Sequence, residues 1–148
     1  MCLGNICRSP LAEAAFRREA ERLGLEAHID SAGTGEWHVG CRPDPRAVAV
    51  AARYGIDISD LRARRVAAED FHRFVHIVAL DRQNLANLRK MQPPGSKARL
   101  SLLLDHVDGR AGEAVADPYY GGSEQFDVTW GDVTEGARSL AAALAREQ

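Results

Sequence analysis

At 148 residues, with 45% apolar and 27% charged positions and a formal net charge of −2, the chain has the composition of an ordinary soluble globular domain, long enough to bury about two thirds of its unfolded surface without covalent staples. That charge offers nothing to nucleic acid, and with no apolar run near ~18 residues and no basic-then-apolar leader the expectation is a cytoplasmic protein without a membrane partner. Three cysteines, Cys2, Cys7 and Cys41, are odd in number and lack framework spacing, which argues against a disulfide-built secreted domain. With His38 they also lack the closely spaced cysteine pairs of a structural zinc site, and no metal or other cofactor is expected.

Residues 2–10, CLGNICRSP, have the makings of an anion cradle. Gly4 and, less readily, Asn5 tolerate left-handed backbone, which lets the N–H groups of Leu3 to Cys7 converge on one point. Ser9 suits a helix cap and Pro10 a first helical position, so the loop is expected to run into a helix N-terminus with its unpaired N–H groups and partial positive charge. A tetrahedral oxyanion fits there. A helix N-terminus and a nearby guanidinium favour the thiolate of Cys2, and Arg8 offers a planar fork matched to two phosphoryl oxygens.

From residue 9 to 23, Ala12, Phe16, Ala20 and Leu23 recur at helical spacing among charged residues, and Gly24 ends the helix. Residues 27–32 read as a short strand leading into the loop Gly33-Thr34-Gly35. Asp44-Pro45 is a cap and first-turn proline ahead of a face made by Ala47, Val50, Ala51 and Tyr54, closed by Gly55. A short helix is expected over 67–73. Residues 74–80, FVHIVAL, are apolar and β-branched, as in a strand buried on both faces. Asp81 caps a helix carrying Leu85 and Leu88 that ends at Pro93-Pro94-Gly95, and 98–104 gives another strand. Phe126, Trp130, Val133, Ala137, Leu140 and Leu144 form a long closing helix, its first half weakened by Gly131 and Gly136. This alternation of strand and helix predicts a doubly wound α/β sandwich with the 2–8 loop at a strand's carboxyl end.

CLGNICRSPLAEA resembles the phosphate-binding loop and first helix of the low-molecular-weight protein tyrosine phosphatases. Asp117-Pro118-Tyr119-Tyr120-Gly121 resembles the family's second marker, more than a hundred residues on. The resemblance implies a single phosphatase domain over 1–148, built on a four-stranded parallel sheet flanked by helices. A hydrophobic strand should precede the loop in the middle of that sheet. Met1 stands one residue before Cys2, so the expectation is an upstream extension and a chain that starts late.

The resemblance implies hydrolysis of phosphotyrosine in tyrosine-phosphorylated proteins without a metal, by a monomer or weak dimer that phosphate and other oxyanions inhibit. Cys2 would attack phosphorus, Arg8 and the loop N–H groups would hold the oxygens, and Asp117 would serve as acid and then base. Asn5 would be held by Ser9 and Ser31. Trp37 and Tyr119, with Tyr120 in support, would wall a slot edged by Ile6 that suits a phenyl phosphate. Cys7 would trap oxidised Cys2, or simply pack beneath the loop. Many members carry histidine where Leu61 stands and glutamine where Arg65 stands, which leaves Asn5 needing another partner. Arg62 and Arg65 read as solvated, Arg64 as nearer the loop, and no role falls to the histidines. Arginine phosphatases and arsenate reductases of the same fold are the alternatives: Ile6 favours tyrosine over the first, and Cys41 is the only candidate relay for the second. An N-terminal nucleophile at Cys2 would leave Arg8 and Asp117 unexplained.

Overall fold

Helices form where the caps and apolar spacings demand them. In the computed structural model, which describes residues 1–147, α1 (Arg8–Leu23) turns Leu11, Ala14, Ala15 and Ala20 inward and stops at Gly24, whose φ of 65° lets its N–H return to the last carbonyls. α2 (Pro45–Arg53) starts at Asp44, whose carboxylate accepts the Arg46 N–H. α3 (Asp70–Arg73) is a single turn. β1 (His76–Ala79) follows, then α4 (Arg82–Met91) capped by Asp81 onto the Asn84 N–H, then β2 (Arg99–Leu102). After a 3-10 turn at Leu103–His106, α5 (Ser123–Glu147) closes the chain along α1. Val133, Ala137 and Leu140 of α5 join Leu11, Ala15 and Val50 in the main core. α5 runs unbroken through Gly131 and Gly136. At Gly136 a Cβ would stand 2.5 Å from Leu103 Cγ, so this glycine lets the helix lie close against the 3-10 turn.

The α/β architecture with a parallel sheet is as expected, but its regular part is small. β1 and β2 pair in parallel, His76 with Arg99 through Ala79 with Leu102. On the other side of β1, the Met1 ammonium donates to Val78 O at 2.8 Å and Leu80 N–H to Met1 O at 3.1 Å. Single parallel bridges then link Cys2 to Gly33 and Gly33 to Arg65. The row therefore runs from residue 65 through 33 and 2 to β1 and β2, and Cys2 stands in its middle. Residues 27–32, expected as a strand, form no ladder; the pairing along this line is confined to the single bridges at Gly33, and a ladder needs a neighbour over several residues. The two regular strands are shorter than their apolar runs: Val75 is exposed after α3, and Leu103 already turns into the 3-10 segment.

Beside Met1 lies a cavity of about 510 Å³ between the 25–31 segment and β1, walled by Phe16, Leu25, Ile29, Ile77, Leu103 and Leu140. Six apolar β-branched residues joined ahead of Met1 are expected to fill this cavity with paired backbone and to raise the melting temperature by several degrees, on the scale of ~2–4 °C per kcal/mol for this size; an equally long Gly-Ser extension giving the same midpoint would contradict this.

Candidate active site

The loop from Cys2 to Arg8 is shaped by one backbone torsion. Asn5 has φ 57°, in the left-handed region; Gly4, expected there too, does not. With that turn made, the Asn5 N–H points at Cys2 Sγ, 3.3 Å away. Gly33 leaves room for the loop, since a Cβ there would stand 2.7 Å from Leu3 O, and the N–H groups of Thr34 and Gly35 bind the carbonyls of Cys2 and Leu3 at 2.9 Å each.

The Asn5 side chain holds the turn. Its Nδ2 donates to Ser9 Oγ at 2.8 Å and Ser31 Oγ at 3.1 Å, and its Oδ1 accepts the Arg64 N–H at 3.0 Å. A backbone amide therefore serves where Leu61 offers no side-chain donor. Ser31 passes its own hydrogen to the buried Glu13 carboxylate at 2.7 Å. Since Ser9 Oγ accepts from Asn5, its hydrogen is free to point at Cys2 Sγ, 3.0 Å away. Ser9 is not the helix cap: α1 begins at Arg8, with Cys7 before it making no side-chain cap bond. Serving the sulfur and Asn5 has displaced capping.

Arg8 is 6% exposed and aims across the row of strands. Its Nη1 donates to Val115 O at 3.0 Å and pairs with Asp81 at 2.9 Å, while Nη2 lies 3.5 Å from Asp117 Oδ2. Asp117 also accepts the Tyr119 N–H at 3.0 Å. Asp81, legible in sequence only as a cap, is thus the carboxylate that fixes Arg8. Asp81 Oδ1 in turn accepts from Asn84 Nδ2, and Asn84 Oδ1 accepts from Thr34 Oγ1, which ties the 33–35 loop to the same network. The signal for Asp81 was its place directly after a buried apolar strand.

Cys7 is buried and free, its thiol pushed up to about 12 by burial and then by Asp44 and Cys2 nearby. Ile6 packs partly against the main core, and Leu3 is exposed. At the rim, Trp37 is 72% exposed, its ring over Gly35. Tyr119 faces His38, ring centroids 6.4 Å apart, and Tyr120 meets Tyr119 edge-on at 4.9 Å while standing in solvent. His38, given no role above, is also the first neighbour a Cβ at Gly4 would touch, at 3.0 Å. Arg64 pairs with Asp30 and Asp70, whereas Arg62 and Arg65 are exposed. Among the described residues, no group of three or more His, Cys, Asp or Glu is placed to hold a metal ion.

The comparisons with known proteins agree with this geometry. A family model described as low molecular weight phosphotyrosine protein phosphatase matches residues 1–148. The low molecular weight phosphotyrosine protein phosphatase of Schizosaccharomyces pombe is 50% identical over 129 residues, 85% of this chain and 82% of that protein. A crystal structure of a protein tyrosine phosphatase from Entamoeba histolytica superposes with a TM-score of 0.92 at 32% identity, covering 99% of this chain and 94% of that one. A Drosophila arginine phosphatase structure gives 0.90 at 28% identity, over 97% and 94%. With its loop, its second marker and its fold in agreement, the chain belongs to the low molecular weight phosphotyrosine protein phosphatase family.

Proposed function

We propose that this protein hydrolyses phosphotyrosine in proteins, and aryl phosphates generally, through a phosphocysteine at Cys2. The observation that carries the reading is the convergence on one sulfur of the Asn5 N–H and the Ser9 hydroxyl, with Arg8 reaching both Asp81 and Asp117 beside it. In the first step the Cys2 thiolate attacks phosphorus in line; the S–P bond forms as the bond to the phenolic oxygen breaks. Loop N–H groups and Arg8 hold the equatorial oxygens as charge shifts through the transition state. A phosphoryl dianion on Arg8 engages the guanidinium that otherwise faces Asp117, whose carboxyl then gives a proton to the departing phenolate oxygen. In the second step Asp117 takes a proton from water, the water oxygen bonds to phosphorus, and the thiolate leaves with inorganic phosphate as product.

Tyr119 and His38 on one side and the exposed Trp37 on another suit a flat ring above the cradle. The likeness to an arginine phosphatase supports a second reading, phosphoarginine as substrate; the apolar Ile6 at the loop's edge argues for the aryl ester. A thiol nucleophile with a second buried thiol in its loop needs reducing surroundings, and the cytoplasm is the compartment we assign.

Cys2→Ser is expected to abolish turnover of phosphotyrosine, and Asp117→Asn to slow it by roughly a hundredfold or more, measured side by side with phosphoarginine. Faster turnover of phosphoarginine would shift the assignment to the second reading. Inorganic phosphate is expected to raise KM for the aryl ester without changing kcat; a fall in kcat alone would place its binding elsewhere. Asn5→Gly keeps the left-handed turn and loses three hydrogen bonds, whereas Asn5→Ala loses both, so the alanine enzyme should be less stable by about 1 kcal/mol. Equal stability of the two would remove backbone strain from the account.

A further inference from the structure

The 117–122 loop has a second attachment that the mechanism above leaves unused, and it leads back to the phosphate loop. Arg46, on the first turn of α2, donates from Nη2 to Tyr119 O and from Nη1 to Gly121 O, both at 2.8 Å. Its guanidinium lies 4.7 Å from the Phe126 ring centroid and 6.0 Å from that of Tyr119. On its other side the same guanidinium grips both oxygens of Asp44, Nε to Oδ1 at 3.0 Å and Nη2 to Oδ2 at 2.9 Å. Asp44 in turn donates its N–H to Ile6 O at 2.9 Å, inside the loop that carries Cys2. The remaining hydrogen bonds around Tyr119 and Gly121 are local: Tyr119 N–H to Asp117, Gly121 N–H to Pro118 O.

We infer that Arg46 is a positioning residue that, clamped by Asp44, holds the Asp117 loop at a set distance from the loop carrying Cys2. The inference rests on the reading of Asp117 as the acid. General acid catalysis depends on geometry, and a displacement near 1 Å can cost about a hundredfold. Arginine suits the task because a planar fork can meet a carboxylate on one edge and two carbonyls on the other; a lysine ammonium directs all its donors from one point. The Arg46 hold on Asp44 keeps that carboxyl below the usual carboxylate range, so the strut stays charged at neutral pH.

The test separates positioning from mere structural support by varying the need for a proton. Phenyl phosphate leaves only with the acid's help; 2,4-dinitrophenyl phosphate leaves without it. Arg46→Gln is expected to lower kcat/KM for phenyl phosphate by roughly 10- to 100-fold, and for the dinitrophenyl ester by no more than about threefold, with the rate of Cys2 alkylation kept. Arg46→Lys, which keeps the charge and stem, should fall between, and carries the test if Arg46→Gln does not fold. Asp117→Asn should widen the ratio between the two esters in the same sense, and adding Arg46→Gln to it should cost little more. Equal losses on both esters, no loss on either, or full additivity with Asp117→Asn would overturn the role of Arg46 while Asp117→Asn still widens the ratio. If Asp117→Asn leaves the ratio alone, the reading of Asp117 falls and this inference with it.

Discussion

A single asparagine side chain, bonded three ways, determines where the sulfur of Cys2 finds its donors. Left-handed backbone at a residue with a Cβ costs roughly 1 kcal/mol or more, and nothing in the loop itself offsets that. The offset comes from Ser9, Ser31 and the Arg64 amide, which belong to α1, to the segment before Gly33 and to the stretch before α3. Each is placed by packing elsewhere: α1 against α5, Gly33 between Cys2 and Arg65. Folding is thus what orders the donors before any substrate arrives, and little reorganisation is left for the moment of reaction.

Charge is handled by the same division of labour. Arg8 is nearly buried and would be costly if alone, so Asp81 at the carboxyl end of β1 meets it at 2.9 Å. Asp81 is in turn fixed by capping α4, which leaves the guanidinium little freedom. Asp117, by contrast, is mostly in solvent and contacts Arg8 more loosely, at 3.5 Å. The acid proposed at Asp117 is thus the less tightly held of the two carboxylates on Arg8.

Much of the site was legible in the residues. CLGNICRSP and Asp117-Pro118-Tyr119-Tyr120-Gly121 pointed to chemistry through their joint resemblance to one family's two markers, since a Cys and an Arg six apart or an Asp-Pro turn is common alone, and helix limits followed from Asp44, Asp81, Gly24 and Gly55. What stayed hidden was set by topology. Glu13 carries no signal in the sequence, because the Ser31 hydroxyl it accepts from stands 18 positions away. Arg46 drew no attention and His38 was given no role for the same reason. Ser9 is no cap although Ser-Pro is a good cap signature; its hydroxyl instead meets Asn5, as the resemblance implied, and the sulfur of Cys2. Residues 27–32 have strand composition, but a strand is a property of two neighbours and sequence describes only one.

The account turns on the sulfur of Cys2 carrying the phosphoryl group. Rapid acid quenching during turnover of a phosphotyrosine peptide, followed by digestion and mass spectrometry, tests this most directly. The expected result is one added phosphoryl group on the peptide containing Cys2, acid-stable and lost on treatment with iodine as a thiophosphate ester should be. A phosphoryl group found on a histidine, or full turnover with no covalent species at any quench time, would contradict it.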